Sequence, residues 1–136
     1  MLISTLYVSR SLIEPTQATA AVADLVAASI VNNRRRDITG ALLFTGAHFA
    51  QILEGSEDSI AALMTSIGRD ERHDRLTVIN HAPIKERQFQ NWALAYNGPS
   101  LFIARHVARV LASPPGVGQQ RTARWLTDAM LELVAV

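Results

Sequence analysis

The sequence predicts an α+β fold: a mixed sheet carrying two helices on one face, followed by a short helical tail. Three observations lead there. Apolar and polar residues alternate with period two at residues 2–9, 38–54, 76–82 and 89–97. Between the first two of these stretches, and again after Gly55, the apolar spacing becomes helical. Beyond Gly98-Pro99 only helical spacing remains.

Leu2 to Ser9 reads as a strand, with Thr5, Tyr7 and Ser9 on one face and Leu6 and Val8 on the other. Pro15 suits a turn or a first helical position. From Thr16 to Asn33 a helix follows, on which Val22, Leu25, Val26 and Ser29 share a face. Ile38 to Thr45 and His48 to Glu54 read as a hairpin turned at Gly46-Ala47. In its second strand Phe49, Gln51 and Leu53 point one way, and His48, Ala50 and Ile52 the other. Gly55-Ser56 stops that strand. Ser56 then suits the N-cap of an amphipathic helix reaching Asp70, with Glu57 and Asp58 in its first turn and Ile60, Leu63, Met64 and Ile67 in its apolar stripe.

Leu76 to Ala82, holding β-branched Val78 and Ile79, reads as a fourth strand ended by Pro83. Phe89 to Asn97 reads as a fifth, with Trp92, Leu94 and Tyr96 on one face. The order βαββαβ plus one strand predicts a ferredoxin-like sandwich with both helices on one sheet face. Residues 101–111 and 119–135 predict a C-terminal helical pair broken at Pro114-Pro115-Gly116. The expected organisation is one domain over residues 1–98 with a helical extension over 99–136, too short for its own core.

The 136 residues are 49% hydrophobic and 18% charged, enough for a packed core, and the net charge of +1 gives no general grip on nucleic acid or membrane. The absence of cysteine excludes disulfides, thiolate catalysis and cysteine-ligated metal. No apolar run is long enough to span a bilayer, and residues 1–6 lack the basic start and long apolar run of a signal peptide, so the expectation is a soluble cytoplasmic protein.

The informative positions are polar groups on apolar faces. Gln51 lies between Phe49 and Leu53, and Asn33 lies on the helix face running through Val22, Val26, Ser29 and Ile30. Burying an unpartnered amide costs roughly 2–7 kcal/mol, depending on the reference state, so each needs a partner. Main-chain groups would satisfy them, and so would a flat heterocycle with alternating donors and acceptors. Tyr7 is equally ambiguous, because a buried phenol simply needs a partner. In a ferredoxin-like sheet the first and third strands are neighbours, which brings Tyr7 and Gln51 within reach of one another.

At these residues the sequence resembles the BLUF family, sensors of blue light using FAD. The matching pieces run in order over residues 2–96: Leu6-Tyr7-Val8-Ser9, Ser29 to Asn33, Ile38-Thr39-Gly40-Ala41-Leu42-Leu43, Phe49-Ala50-Gln51-Ile52-Leu53-Glu54-Gly55, Asp70-Glu71-Arg72-His73 and Arg87-Gln88-Phe89-Gln90-Asn91-Trp92. The resemblance implies non-covalent FAD. It implies that Tyr7 donates an electron and a proton to the excited flavin, with Gln51 between that hydroxyl and flavin N5/O4. It places Asn33, assisted by Asn32, on the polar ring edge, with Ser29 nearby. Trp92 would be the mobile strand tryptophan near the glutamine. Ile30 and the apolar stripe including Ile67 would sandwich the ring between the helices, and Arg72 and His73 would sit near the ribityl or phosphate part. One departure is Leu94, where the family commonly has methionine; leucine keeps the volume and loses the thioether contact.

The remaining motifs point elsewhere only weakly. Arg34-Arg35-Arg36 reads as a solvated helix end. The four histidines lack metal-ligand spacing. Arg69, Asp70, Arg72 and Asp74 read as exposed ion pairs. Glu54 has no paired carboxylate or nucleophile to make it a general base. The expectation is therefore a sensor and not an enzyme. A ferredoxin-like regulatory module without photochemistry and an acylphosphatase-like hydrolase remain as other functions on the same fold. Leu101, Phe102, Trp125 and Leu126 are expected to cover the open sheet face or to form an oligomer interface, giving a homo-oligomer that signals to a separate protein partner.

Overall fold

The computed structural model describes the backbone of residues 1–98, 101–112 and 117–135. In chain order the elements are β1 (Leu2–Ser11), α1 (Ala18–Arg35), β2 (Thr39–Phe44), β3 (His48–Ser56), α2 (Glu57–Gly68), β4 (His73–Pro83), β5 (Trp92–Asn97), α3 (Leu101–Ala112) and α4 (Val117–Ala135). They form a five-stranded sheet ordered β4-β1-β3-β2-β5. All strand pairs are antiparallel except β2 with β5, which run parallel. This is the ferredoxin-like α+β fold with a fifth strand added beside β2.

The alternation in β1 and β3 sorts side chains onto two faces. Phe49 and Leu53 pack with Val22, Ile60 and Trp92 under α1 and α2. Leu6, Val8, Ala50 and Ile52 pack with Val107, Ala123, Leu126 and Met130 of the C-terminal helices. The C-terminal pair therefore covers the sheet's other face. Trp125 is partly buried against this second cluster, its ring stacked on His106. The expectations for the Leu101 and Phe102 side chains and for the Pro114-Pro115-Gly116 break lie outside the described residues.

Three local departures from the expected elements have physical causes. A short 3-10 turn at Pro15–Gln17 precedes α1, with Pro15 supplying the fixed φ of its first position. Strand β4 begins at His73 and not at Leu76. Its register against β1 slips twice, and Arg75 takes a left-handed φ of 51° at one of the irregularities. Strand β5 starts at Trp92 and not at Phe89, and contains a bulge: Leu42 faces Leu94 while Leu43 faces Tyr96. The extra residue moves Tyr96 off the face it was expected to share with Trp92 and Leu94. Leu94 packs on the α1/α2 side, and Ala95 and Tyr96 pack on the α3/α4 side.

Two local features set the site's frame. Helix α1 ends in a Schellman motif: Asp37 adopts φ 54°, Asp37 N–H bonds the Arg34 carbonyl at 3.2 Å, and Ile38 N–H bonds the Asn33 carbonyl at 2.9 Å. Ile38, buried at the end of this turn, anchors the helix to the sheet. At Gly40 a Cβ would stand 1.9 Å from the Ile52 carbonyl oxygen, so only glycine lets β2 approach β3 there.

Candidate functional site

Strand pairing places Tyr7 directly opposite Gln51 in the β1–β3 ladder. Both side chains are buried. Gln51 Nε2 donates to Tyr7 Oη at 2.5 Å, and Trp92 Nε1 donates to Gln51 Oε1 at 2.9 Å. The direction of this chain is chemically fixed. An indole N–H only donates, so the amide oxygen must face Trp92 and the amide NH2 must face the phenol. A phenol that accepts here has its own proton to donate elsewhere. Burial pushes the Tyr7 phenol well above its ordinary range; the Gln51 bond partly offsets this and the nearby Asp70 charge adds to it. Tyr7 is therefore held neutral.

Beside the Tyr7–Gln51 pair, between α1 and α2, lies a partly open cavity with about 470 Å³ of free space including its mouth. Its apolar walls include Leu25, Leu42, Phe49, Leu63 and Ile67. Its polar lining comes from Tyr7, Ser29, Asn33, Gln51, Asp70, Arg72 and His73. Asn33 is 2% exposed and lines the cavity, while its main-chain carbonyl is committed to the helix cap. A flat ring with apolar faces and hydrogen-bonding edges fits this lining in its chemistry.

The family model for BLUF, described as sensors of blue-light using FAD, matches residues 2–95. The chain belongs to the BLUF family.

Similarity to other BLUF proteins takes two forms. The chain is 30% identical over 88 residues to photoactivated adenylate cyclase subunit alpha of Euglena gracilis, covering 64% of this chain and 8% of the relative. It is 32% identical over 83 residues to the blue light- and temperature-regulated antirepressor BluF of Escherichia coli strain K12, covering 60% of this chain and 21% of the relative. It thus spans a small part of the length of these relatives. Among solved structures, the dark state of BlrB, a BLUF protein, superposes with a TM-score of 0.73 at 26% identity over 99% of this chain and 97% of that one. The photo-activated state of BlsA gives 0.79 at 20% identity, over 96% and 95%, and shows the shared fold.

The structure brings most of the residues expected at a BLUF site to one place. Tyr7, Ser29, Asn33, Gln51, Ile67, Arg72 and His73 line the cavity, and Trp92 reaches it through its bond to Gln51. Ile30 and Asn32 do not join them. Ile30 is 42% exposed and lines a neighbouring groove with Trp92, and Asn32 faces solvent. Successive helical residues are turned by about 100°, so Asn32 and Asn33 cannot both face the cavity.

Asp70, expected in an exposed ion pair, does pair with Arg72, and it also forms part of the lining. Its carboxylate accepts from the Arg72 main-chain N–H at 3.0 Å and from the guanidinium at 2.6 Å. These bonds hold its pKa below the usual carboxylate value and raise that of Arg72. His73 is fixed at both nitrogens. Its Nε2 donates to the Ile67 carbonyl at 2.7 Å, which leaves Nδ1 to accept from the Ser9 hydroxyl at 2.6 Å. Its ring meets Tyr7 and Phe49 edge-on, at centroid distances of 6.2 and 6.1 Å. Leu25, Leu42, Phe49 and Asp70 lie outside the expected site residues, and Leu63 belongs to the same apolar stripe as Ile67, which was expected against the ring. Among the described residues no helix is long and apolar enough to cross a membrane.

Proposed function

We propose that this chain is a blue-light photoreceptor that holds FAD non-covalently between α1 and α2 and reports excitation through Tyr7, Gln51 and Trp92. The observation that carries this reading is a one-directional hydrogen-bond chain, Trp92 to Gln51 to Tyr7, ending at a cavity that Asn33 also lines. Asn33, Ser29 and Gln51 supply donors and acceptors for the ring edge. Leu25, Leu63 and Ile67 supply apolar contact for its faces, and Arg72 and His73 stand toward the more polar part of the cofactor. When bound, the flavin supplies the blue absorption and an excited state able to take an electron.

The protein's contribution is proton and hydrogen-bond control. Tyr7 is a neutral phenol at any physiological pH, with both an electron and a proton to give. Gln51 is the movable piece. If its amide is rotated or tautomerised, Tyr7 donates where it previously accepted, and rotation also breaks the bond from Trp92. A stimulus shifts a conformational equilibrium only by stabilising two states unequally, and the Gln51 bonding pattern supplies that inequality. The signal passes by contact to a separate protein partner, as the named functions of the cyclase and antirepressor relatives suggest.

The test is spectroscopic. Purified protein is expected to be yellow and to show a reversible red shift under blue light. Tyr7→Phe and Gln51→Ala are each expected to retain the flavin and lose the shift. A normal photocycle in either variant would refute the assignment. A colourless protein that also fails reconstitution with FAD would refute the photoreceptor reading altogether.

A further inference from the structure

Glu54 is the one charged side chain buried among the described residues, at 0% exposure. It points from β3 to the α3/α4 side of the sheet, away from the cavity. Its carboxylate accepts the Gln88 N–H at 3.0 Å on both oxygens and the Phe89 N–H at 2.9 Å on Oε1. Beside it Arg87 Nη1 donates to the Glu54 main-chain carbonyl at 2.8 Å and to Thr39 Oγ1 at 2.9 Å, and Arg87 Nη2 donates to the Asp37 carbonyl at 2.8 Å. The connection entering β5 is thus tied by side chains to β3 and to the end of α1. This explains why the ladder begins only at Trp92.

These bonds close a ring. Gln51 and Glu54 lie three residues apart on β3. Gln88 and Phe89 hang on Glu54, and Trp92, three residues past Phe89, bonds back to Gln51. Phe89 itself is 3% exposed and packs in the cluster that holds Ala123, Leu126 and Met130 of α4. The segment 88–92 therefore touches the switchable amide at one end and the C-terminal helix at the other. The carboxylate fixes its Gln88–Phe89 end.

We propose that Glu54 is a positioning residue: it holds Trp92 on Gln51 and makes the segment 88–92 the rigid link from the cavity to α4. The proposal rests on the photoreceptor reading for its signalling role, but the positioning itself exists without light. Charge-assisted bonds to main-chain N–H groups are the strong kind, and an apolar replacement leaves the buried Phe89 donor without an acceptor.

The test compares Glu54→Leu and Glu54→Gln with the parent, each in a Trp125→Phe background so that Trp92 is the sole tryptophan. Glu54→Leu is expected to retain flavin and a photocycle, since Tyr7 and Gln51 are both present, with Gln51 less strictly oriented. Its dark recovery is expected to change by about fivefold or more, and its light-minus-dark hydrogen-exchange difference over residues 117–135 is expected to vanish. Its Trp92 emission in the dark is expected to shift to the red and become more accessible to a soluble quencher. Glu54→Gln, which keeps an oxygen where Oε1 stands, is expected to restore all three. Parental recovery, exchange and emission in Glu54→Leu would overturn the proposal. If the parent shows no photocycle, the photoreceptor reading fails while the dark emission still judges the positioning role. If Glu54→Leu does not fold, Arg87→Met loosens the same connection and is read by the same three measurements.

Discussion

Replacing Trp92 with phenylalanine keeps a ring in the α1/α2-side core and removes one N–H. In the parent, the Gln51 amide has a single favoured orientation: Oε1 accepts from Trp92 at 2.9 Å and Nε2 donates to Tyr7 at 2.5 Å. Turning the amide over costs little at Tyr7, because a hydroxyl accepts or donates equally well. At Trp92 it sets an N–H against an NH2 group and leaves a buried donor without an acceptor, which costs about 1–3 kcal/mol. The bias toward the parental orientation is therefore roughly 5- to 150-fold. In Trp92→Phe this term disappears and the two orientations become comparable in population. Side-chain amide resonances of Gln51 in 15N-labelled protein report the change. One amide environment is expected in the parent, and two, or one averaged, in the variant. A variant that keeps a single parental Gln51 environment with an unchanged Tyr7 contact would show that the indole does not set the amide, and the switching argument would fail with it.

Three other outcomes follow from the same geometry. Asn33→Ala removes an amide from the cavity lining, so flavin affinity should fall by roughly 2- to 12-fold, the worth of one hydrogen bond; equal flavin affinities by titration would place the ring edge elsewhere. Leu94→Met, at a position packed on the α1/α2 side, is expected to keep FAD binding and to alter signal strength or dark recovery, and indistinguishable kinetics would make that position unimportant. Because burial raises the Tyr7 pKa above its ordinary 10.0, Tyr7 takes nothing from stability below that pH. Above it the unfolded chain ionises first, and stability falls by up to about 1.4 kcal/mol per pH unit until the folded phenol also ionises. Denaturant midpoints between pH 9 and 11 should drop less in Tyr7→Phe than in the parent; equal drops would mean that Tyr7 is not the group responsible.

Much of the site was legible because it is written in local periods. The alternation in β1 and β3 fixed which residues share a face, and so put Tyr7 and Gln51 on the same side as Leu53. The helical period put Ser29 and Asn33 on the face of Val22. Asn32, expected only from the family resemblance, is turned to solvent, and the limit of the period lies in the exact phase of α1, which is set by its Schellman turn and by the anchoring of Ile38 in the core. Ile30 shows the same limit: about 60° from Asn33 on the helix, it falls just outside the cavity and beside Trp92.

The sequence by itself determined the element order, the two faces of the sheet and the residue types able to grip a flat ring. Tertiary structure alone decided the rest. It made Tyr7 and Gln51 register partners, placed the β5 bulge that sends Leu94 and Tyr96 to opposite faces, and turned Glu54 from an unassigned carboxylate into the anchor of the segment before Trp92. The physical reason is range. A side chain's direction along a strand or helix depends on its near neighbours, whereas its hydrogen-bond partner depends on register, bulges and caps. Those are settled only when segments distant in sequence pack together and every buried polar group must find a mate.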